Sequence, residues 1–125
     1  MRSLVIASSL LALAATGSVA APRKGGVPIA TPVGEPVNCI PLRSIRSTRV
    51  HDDRTIDFET NGRKVYRNVL PNSCPSLGFE ERFLYKTSLS QLCSVDIITV
   101  LYSSPPTQGA SCGLGKFQPV QLARR

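Results

Sequence analysis

"RTIDFETNGRKVYRNVL", Arg54 to Leu70, carries the strongest turn signal in the chain, Asn61-Gly62, between two runs that alternate in polarity. A two-residue type I′ turn at Asn61-Gly62 would set Ile56 opposite Arg67 and Asp57 opposite Tyr66, mixing charge into both faces. A three-residue loop, Thr60-Asn61-Gly62 with Gly62 left-handed, instead sets Ile56 opposite Tyr66 and Glu59 opposite Arg63. One face then carries Ile56, Phe58, Tyr66 and Leu70. The other carries Thr55, Asp57, Glu59, Arg63 and Arg67, where both signs of charge interleave and cross-strand pairs neutralise one another. The stretch predicts a hairpin with an apolar inner face and a solvated outer one.

Working outward, "RSTRVHD" alternates weakly and Asp52-Asp53 offer a turn, which makes a three-stranded meander from Arg46 to Leu70. Pro41 can start a single helical turn in "PLRSI". Downstream, "RFLYKT" alternates as a strand, although "SLGFEERFLYK" would also suit a short helix begun at Ser76. "CSVDIITVLY" is β-branched and apolar on both faces, as a central or doubly covered strand is. After the loop "SSPPTQGAS", "CGLGKF" reads as a short last strand that Pro119 ends. The fold class is all-β: a small antiparallel barrel or sandwich of five to six short strands, stapled by disulfides and carrying a disordered N-terminal arm.

Residues 1–20 read as a signal peptide. Arg2 precedes the apolar run "LVIASSLLALAA", and Ser18 and Ala20 stand as in an A-x-A cleavage site, so cleavage is expected after Ala20. Cleavage after Ala21 would place Pro22 beside the scissile bond. No later apolar run approaches the roughly 18 residues of a membrane helix, so no membrane span is expected in the mature chain. Residues 21–38, "APRKGGVPIATPVGEPVN", hold four prolines and three glycines with no strand or helix period, and read as a disordered linker. As a polyproline-like arm it would reach roughly 55 Å. The folded domain then spans 39–122, with 123–125 a frayed tail.

Removal of Arg2 takes the net charge from +7 to +6. That excess suits anionic partners such as phosphorylated glycolipids or acidic polymers, and an exported chain has no use for nucleic acid. A moderately basic surface also serves solubility alone.

A domain of this size has a marginal core, and covalent staples are useful. Cys39, Cys74, Cys93 and Cys112 form an even, widely spaced set, which in an exported chain reads as two disulfides. No C-x-x-C pair occurs and the single histidine, His51, is remote in sequence, so neither a metal site nor a cofactor is expected. Of the three connectivities, the nested one, Cys39–Cys112 with Cys74–Cys93, gives loops contributing about 4.4 and 3.3 kcal/mol. Oxidation in chain order would give Cys39–Cys74 with Cys93–Cys112.

Three groups of residues invite a test for chemistry. "GASCG", residues 109–113, spells a nucleophile elbow around Ser111, but a Pro-Gly loop precedes it, no helix has room to follow, and no histidine lies downstream. "HDD", residues 51–53, could orient His51 with Asp53 as base and supporting carboxylate, with no nucleophile beside them. Asp96 is the one charge inside the apolar run "SVDIITVL". A carboxylate there needs hydrogen bonds or an arginine such as Arg54 or Arg82, and a satisfied structural contact outranks a functional acid.

The segments "CIPLRSIRSTRVHDDRTIDF", "KVYRNVLPNSCPSLGFEERF", "LCSVDIITVL" and "CGLGKF" together resemble an uncharacterised family of small secreted bacterial four-cysteine proteins, a domain of unknown function. Its most specific element is Leu92, Cys93 and Asp96. The resemblance implies export and a cysteine-linked domain, and transfers no activity or site.

Two function classes follow. The first is a non-catalytic, monomeric module of the bacterial envelope or periplasm, structural or binding an anionic envelope component or another envelope protein through Arg43, Arg46 and Arg49. The second is a small periplasmic hydrolase or other enzyme using Asp96 or His51.

Overall fold

The computed structural model describes residues 26–87 and 89–123. The expected signal segment, residues 1–20, with the cleavage expected after Ala20, and residues 21–25, 88, 124 and 125, lie outside the described residues. In chain order the strands are β1 (Ala30–Pro32), β2 (Cys39–Pro41), β3 (Ile45–Val50), β4 (Thr55–Thr60) and β5 (Lys64–Val69). A four-residue helix, α1 (Leu77–Glu80), leads to β6 (Phe83–Lys86), β7 (Gln91–Cys93), β8 (Ile97–Ser103), β9 (Pro106–Gly113) and β10 (Phe117–Leu122). These ten short strands form antiparallel sheets of order β1-β10-β5-β4-β3, β6-β8-β9 and β2-β7. The architecture is sandwich-like, without a closed barrel, and has more strands than the five or six expected.

Phe58 of β4, Phe117 of β10 and Ile98 and Val100 of β8 are buried where the two larger sheets meet. Phe58 meets Phe117 edge-on at 5.4 Å and Phe83 of β6 at 6.3 Å, a geometry in which ring edges face the negative π surface. The meander β3-β4-β5 is present, Leu42–Ser44 form the single helical turn after Pro41, and β8 is the central strand of its sheet. Both readings of "SLGFEERFLYK" apply in succession: Leu77–Glu80 are helical and Phe83–Lys86 are strand.

The hairpin differs from expectation by its register. Its three-residue loop is Asn61–Arg63, so Thr60 faces Lys64, Phe58 faces Tyr66, Asp57 faces Arg67 and Ile56 faces Asn68. A slip of two residues leaves every side chain on its expected face, because side chains alternate with period two. Both Gly62 (φ 72°) and Arg63 (φ 60°) are left-handed.

The outer face is not the solvated surface that the alternation predicts. Asp57 is 1% exposed and Thr55 is buried. Part of the cover over the Asp57–Arg67 pair comes from the stretch expected to be a disordered linker, which makes regular contacts over its described residues, 26–38. There β1 pairs with β10, Val37 bridges Phe117, and the Pro28 carbonyl accepts from Arg67. Pro28, Pro32 and Pro36 do not prevent this, because an edge segment needs few of its own N–H groups: Val33 N–H donates to Pro119 O and Val37 N–H to Phe117 O. Pro119 likewise does not end the last strand. Its carbonyl side, where its N–H is missing, faces the N-terminal arm, and β10 continues to Leu122.

All four cysteines are in disulfides, but the pairing is neither nested nor sequential: Cys39 joins Cys93 and Cys74 joins Cys112. The cause is strand pairing. β2 runs against β7 with Cys39 directly opposite Cys93, and Cys74 packs at the start of α1 beside β9. The loops of 54 and 38 residues interlock. Each contributes about 4 kcal/mol by restricting the unfolded chain.

Candidate functional site

Alternation in β4 and β5 places Asp57 and Arg67 opposite each other, and the turn before β4 returns His51 to the same carboxylate. Arg67 donates from Nε to Asp57 Oδ1 at 2.8 Å and from Nη2 to Oδ2 at 2.9 Å. His51 Nε2 lies 2.7 Å from Asp57 Oδ2. The ionised carboxylate has no proton to give, so Nε2 carries the hydrogen and the ring presents Nδ1 on its other edge. Burial raises the carboxyl pKa of Asp57, but the hydrogen bonds from Arg67 and His51, and then their charges, outweigh it and hold it below its ordinary value. The third arm of the guanidinium, Nη1, donates to Pro28 O at 2.8 Å. The cluster therefore ties three segments distant in sequence into one neutralised unit.

The histidine's expected partner, Asp53, is used elsewhere: its Oδ1 accepts from Gly78 N–H and its carbonyl from Cys74 N–H, which anchors α1 and the second disulfide. Asp52 accepts from Arg54 N–H in a tight turn. Burial raises its carboxyl, while the Arg54 N–H and then the Thr55 hydroxyl and N–H lower it to a net value below the ordinary one. Asp96 stands before β8 and not inside it. Its Oδ2 accepts from Cys93 N–H at 2.7 Å and its own N–H donates to Cys93 O, closing the turn between β7 and β8. It is a satisfied structural contact, as the sequence favoured, but half-exposed and made with backbone. Arg54, one of its expected partners, reaches Leu70 O and Pro71 O instead. Ser111 sits within β9, its hydroxyl 2.9 Å from that of Thr99 across the strand pair, so "GASCG" is strand and not elbow.

The three candidate arginines have different surroundings. Arg43 is exposed in the turn before β3. Arg46 occupies an irregularity in β3 and donates to Asn61 Oδ1, while Arg49 is paired with Glu59 Oε1 at 3.1 Å. The expected charge pairing changes at the hairpin tip: the two-residue register shift carries Glu59 away from Arg63 to face Val65. Among the described residues neither Arg63 nor Lys64 has an acidic partner.

These two cations line a groove of about 780 Å³ beside the point where the β5–β10 ladder stops at Val120 opposite Val65. Val33, Tyr66, Pro119 and Leu122 supply apolar walls, and no carboxylate lines it. A second groove, about 660 Å³, runs past His51 and Arg49 and contains the carboxylates Glu59 and Glu81. Spacing in the sequence could not reveal the first groove, because half of it comes from β10 and the N-terminal arm. The available signal was the unbroken pair Arg63-Lys64 after Asn-Gly.

Among the described residues no group of three potential ligands is placed to hold a metal ion, and no helix is long and apolar enough to cross a membrane. No protein-family model matches the chain, and neither a curated protein nor a solved structure matches it.

Proposed function

We propose that this chain is an exported, non-catalytic binding module that engages an anionic partner through Arg63 and Lys64 at the tip of the β4–β5 hairpin. The observation that carries the reading is the absence of an acidic partner for either cation among the described residues, beside a groove free of carboxylates. Opposite charge attracts and orients such a ligand, and neighbouring carboxylates would cancel the field. The two interlocked disulfides support an oxidising compartment, and the first twenty residues support export, in keeping with an envelope or periplasmic setting in a bacterium. The carboxylates suggested for acid–base work support binding over catalysis too: Asp53 accepts from Gly78 N–H and Asp96 closes a turn.

The test is titration of the oxidised mature protein with polyphosphate, a polyanion with no apolar part, followed by backbone amide shifts at two salt concentrations. Shifts centred on Arg63 and Lys64 that fade with salt support the reading; shifts centred on Arg43 and Arg46 overturn it.

One observation favours a second reading, a small hydrolase. His51 is oriented by Asp57 at 2.7 Å and borders two grooves, as a general base would. Hydrolytic turnover abolished by His51→Gln in a folded protein would establish it.

A further inference from the structure

We infer that the groove beside the hairpin tip takes a single-chain anionic amphiphile, its acidic head on Arg63 and Lys64 and its hydrocarbon chain along Val33, Val65, Pro119 and Leu122. The inference rests on the reading of the tip as an anion-binding site and adds the class of ligand.

The groove combines two cations with a mainly apolar wall. Arg63 and Lys64 are its only charged lining residues, and aliphatic side chains, Pro119, Tyr66 and Gln121 supply the rest. Its volume, about 780 Å³, falls in the range of small-molecule sites. A phosphate or a free carboxylate would use the two cations and leave the apolar walls in water. A neutral hydrocarbon would use the walls and leave the cations idle. An acidic head joined to one chain satisfies both. Val33 is 58% exposed on the arm after β1, and such an exposed aliphatic side chain on a groove wall gains by being covered.

Arg63 adds an independent observation. Its φ of 60° places a long side chain in the left-handed region, directly after Gly62, which already supplies one left-handed residue. Glycine or asparagine fits such a position at lower cost, and strain retained in a folded protein marks a residue kept for its side chain. The strain cannot be ascribed to an internal ion pair, since among the described residues Arg63 has none.

The experiment titrates the oxidised mature protein with octanoate, decanoate and dodecanoate below their micelle concentrations, with acetate and decyl maltoside as controls and amide shifts as readout. Affinity should rise about fourfold for each added methylene, with shifts at Val65, Val120 and Leu122. Arg63→Gly should weaken decanoate binding while leaving the thermal midpoint unchanged or raised. Val33→Glu, a substitution at an exposed position, should weaken it further without loss of fold. Affinity independent of chain length, equal binding of decyl maltoside, or binding only to anionic phospholipid vesicles and not to monomers would each overturn the inference. If polyphosphate still shifts Arg63 and Lys64 in those cases, the tip remains an anion site and only the groove assignment falls. If neither probe binds, both fall.

Discussion

Arg67 grips both oxygens of Asp57, at 2.8 and 2.9 Å, across the β4–β5 ladder with the carboxylate fully enclosed. The pair binds the hairpin to His51 on one side and to the Pro28 carbonyl on the other. Removing one member strands a buried charge, so Asp57→Asn should destabilise the domain by about 3–5 kcal/mol, read from the denaturant midpoint. A change below about 1 kcal/mol would show that the pair is solvated.

The same pair sets an acid limb. Because the folded carboxyl of Asp57 lies below its ordinary 3.8, its contribution is complete above the unfolded value and is lost as pH falls through the folded one. Stability of the wild-type chain should therefore decline below about pH 4, and the decline should be shallower in Asp57→Asn. Equal slopes in the two proteins would remove Asp57 from the account.

Non-reducing peptide mapping should recover Cys39 linked to Cys93 and Cys74 linked to Cys112. Replacing both Cys74 and Cys112 by alanine should cost about 4 kcal/mol, since that cross-link closes the shorter of two long loops. A Cys39–Cys112 peptide would contradict the pairing of β2 with β7.

The hairpin tip gives opposite outcomes at adjacent positions. Gly62→Ala should destabilise by about 1 kcal/mol, because a β-carbon is disfavoured at φ 72° although open space surrounds it. Arg63→Gly should be neutral or stabilising by thermal unfolding, as strain relief offsets the added freedom of the unfolded chain. Destabilisation by both would mean that the Arg63 side chain supports the fold.

Asn68, fully buried, donates to Gly115 O at 2.7 Å and accepts from Gly115 N–H at 2.8 Å, standing in for a strand where the chain turns into β10. A β-carbon on Gly115 would collide with Val69 O. Gly115→Ala should cost about 1–3 kcal/mol in chemical denaturation; a neutral result would show that the turn shifts freely.

Period-two alternation made the inner face of the hairpin legible, since Ile56 and Phe58 point inward in any register that differs by an even number of residues. The register itself was not, because it turned on whether the three-residue loop begins at Thr60 or Asn61, and Arg63 takes a left-handed conformation that its residue type does not signal. Composition concealed the role of the N-terminal arm: "GVPIATPVGEPV" lacks any period, yet its backbone completes the five-stranded sheet and closes over Asp57 and Arg67. The cysteine pairing was illegible for a related cause. Loop entropy separates the three connectivities by too little to choose between them, and the choice was made by strands β2 and β7 meeting across 54 residues. For the site, Arg49 and Arg63 exchanged roles once Glu59 moved to the side of Arg49.

The central claim is that anion binding lies at the hairpin tip, and charge reversal tests it most directly. Polyphosphate affinity should be measured at low and physiological salt, where exposed charges are screened over about 8 Å. The measurement compares wild type, Arg63→Glu/Lys64→Glu and Arg43→Glu/Arg46→Glu/Arg49→Glu. The account predicts an affinity that falls with salt and drops about tenfold or more in the tip variant, with a smaller loss in the triple variant despite its larger change in net charge. Equal binding by the tip variant and wild type, or a larger loss in the triple variant, would contradict it.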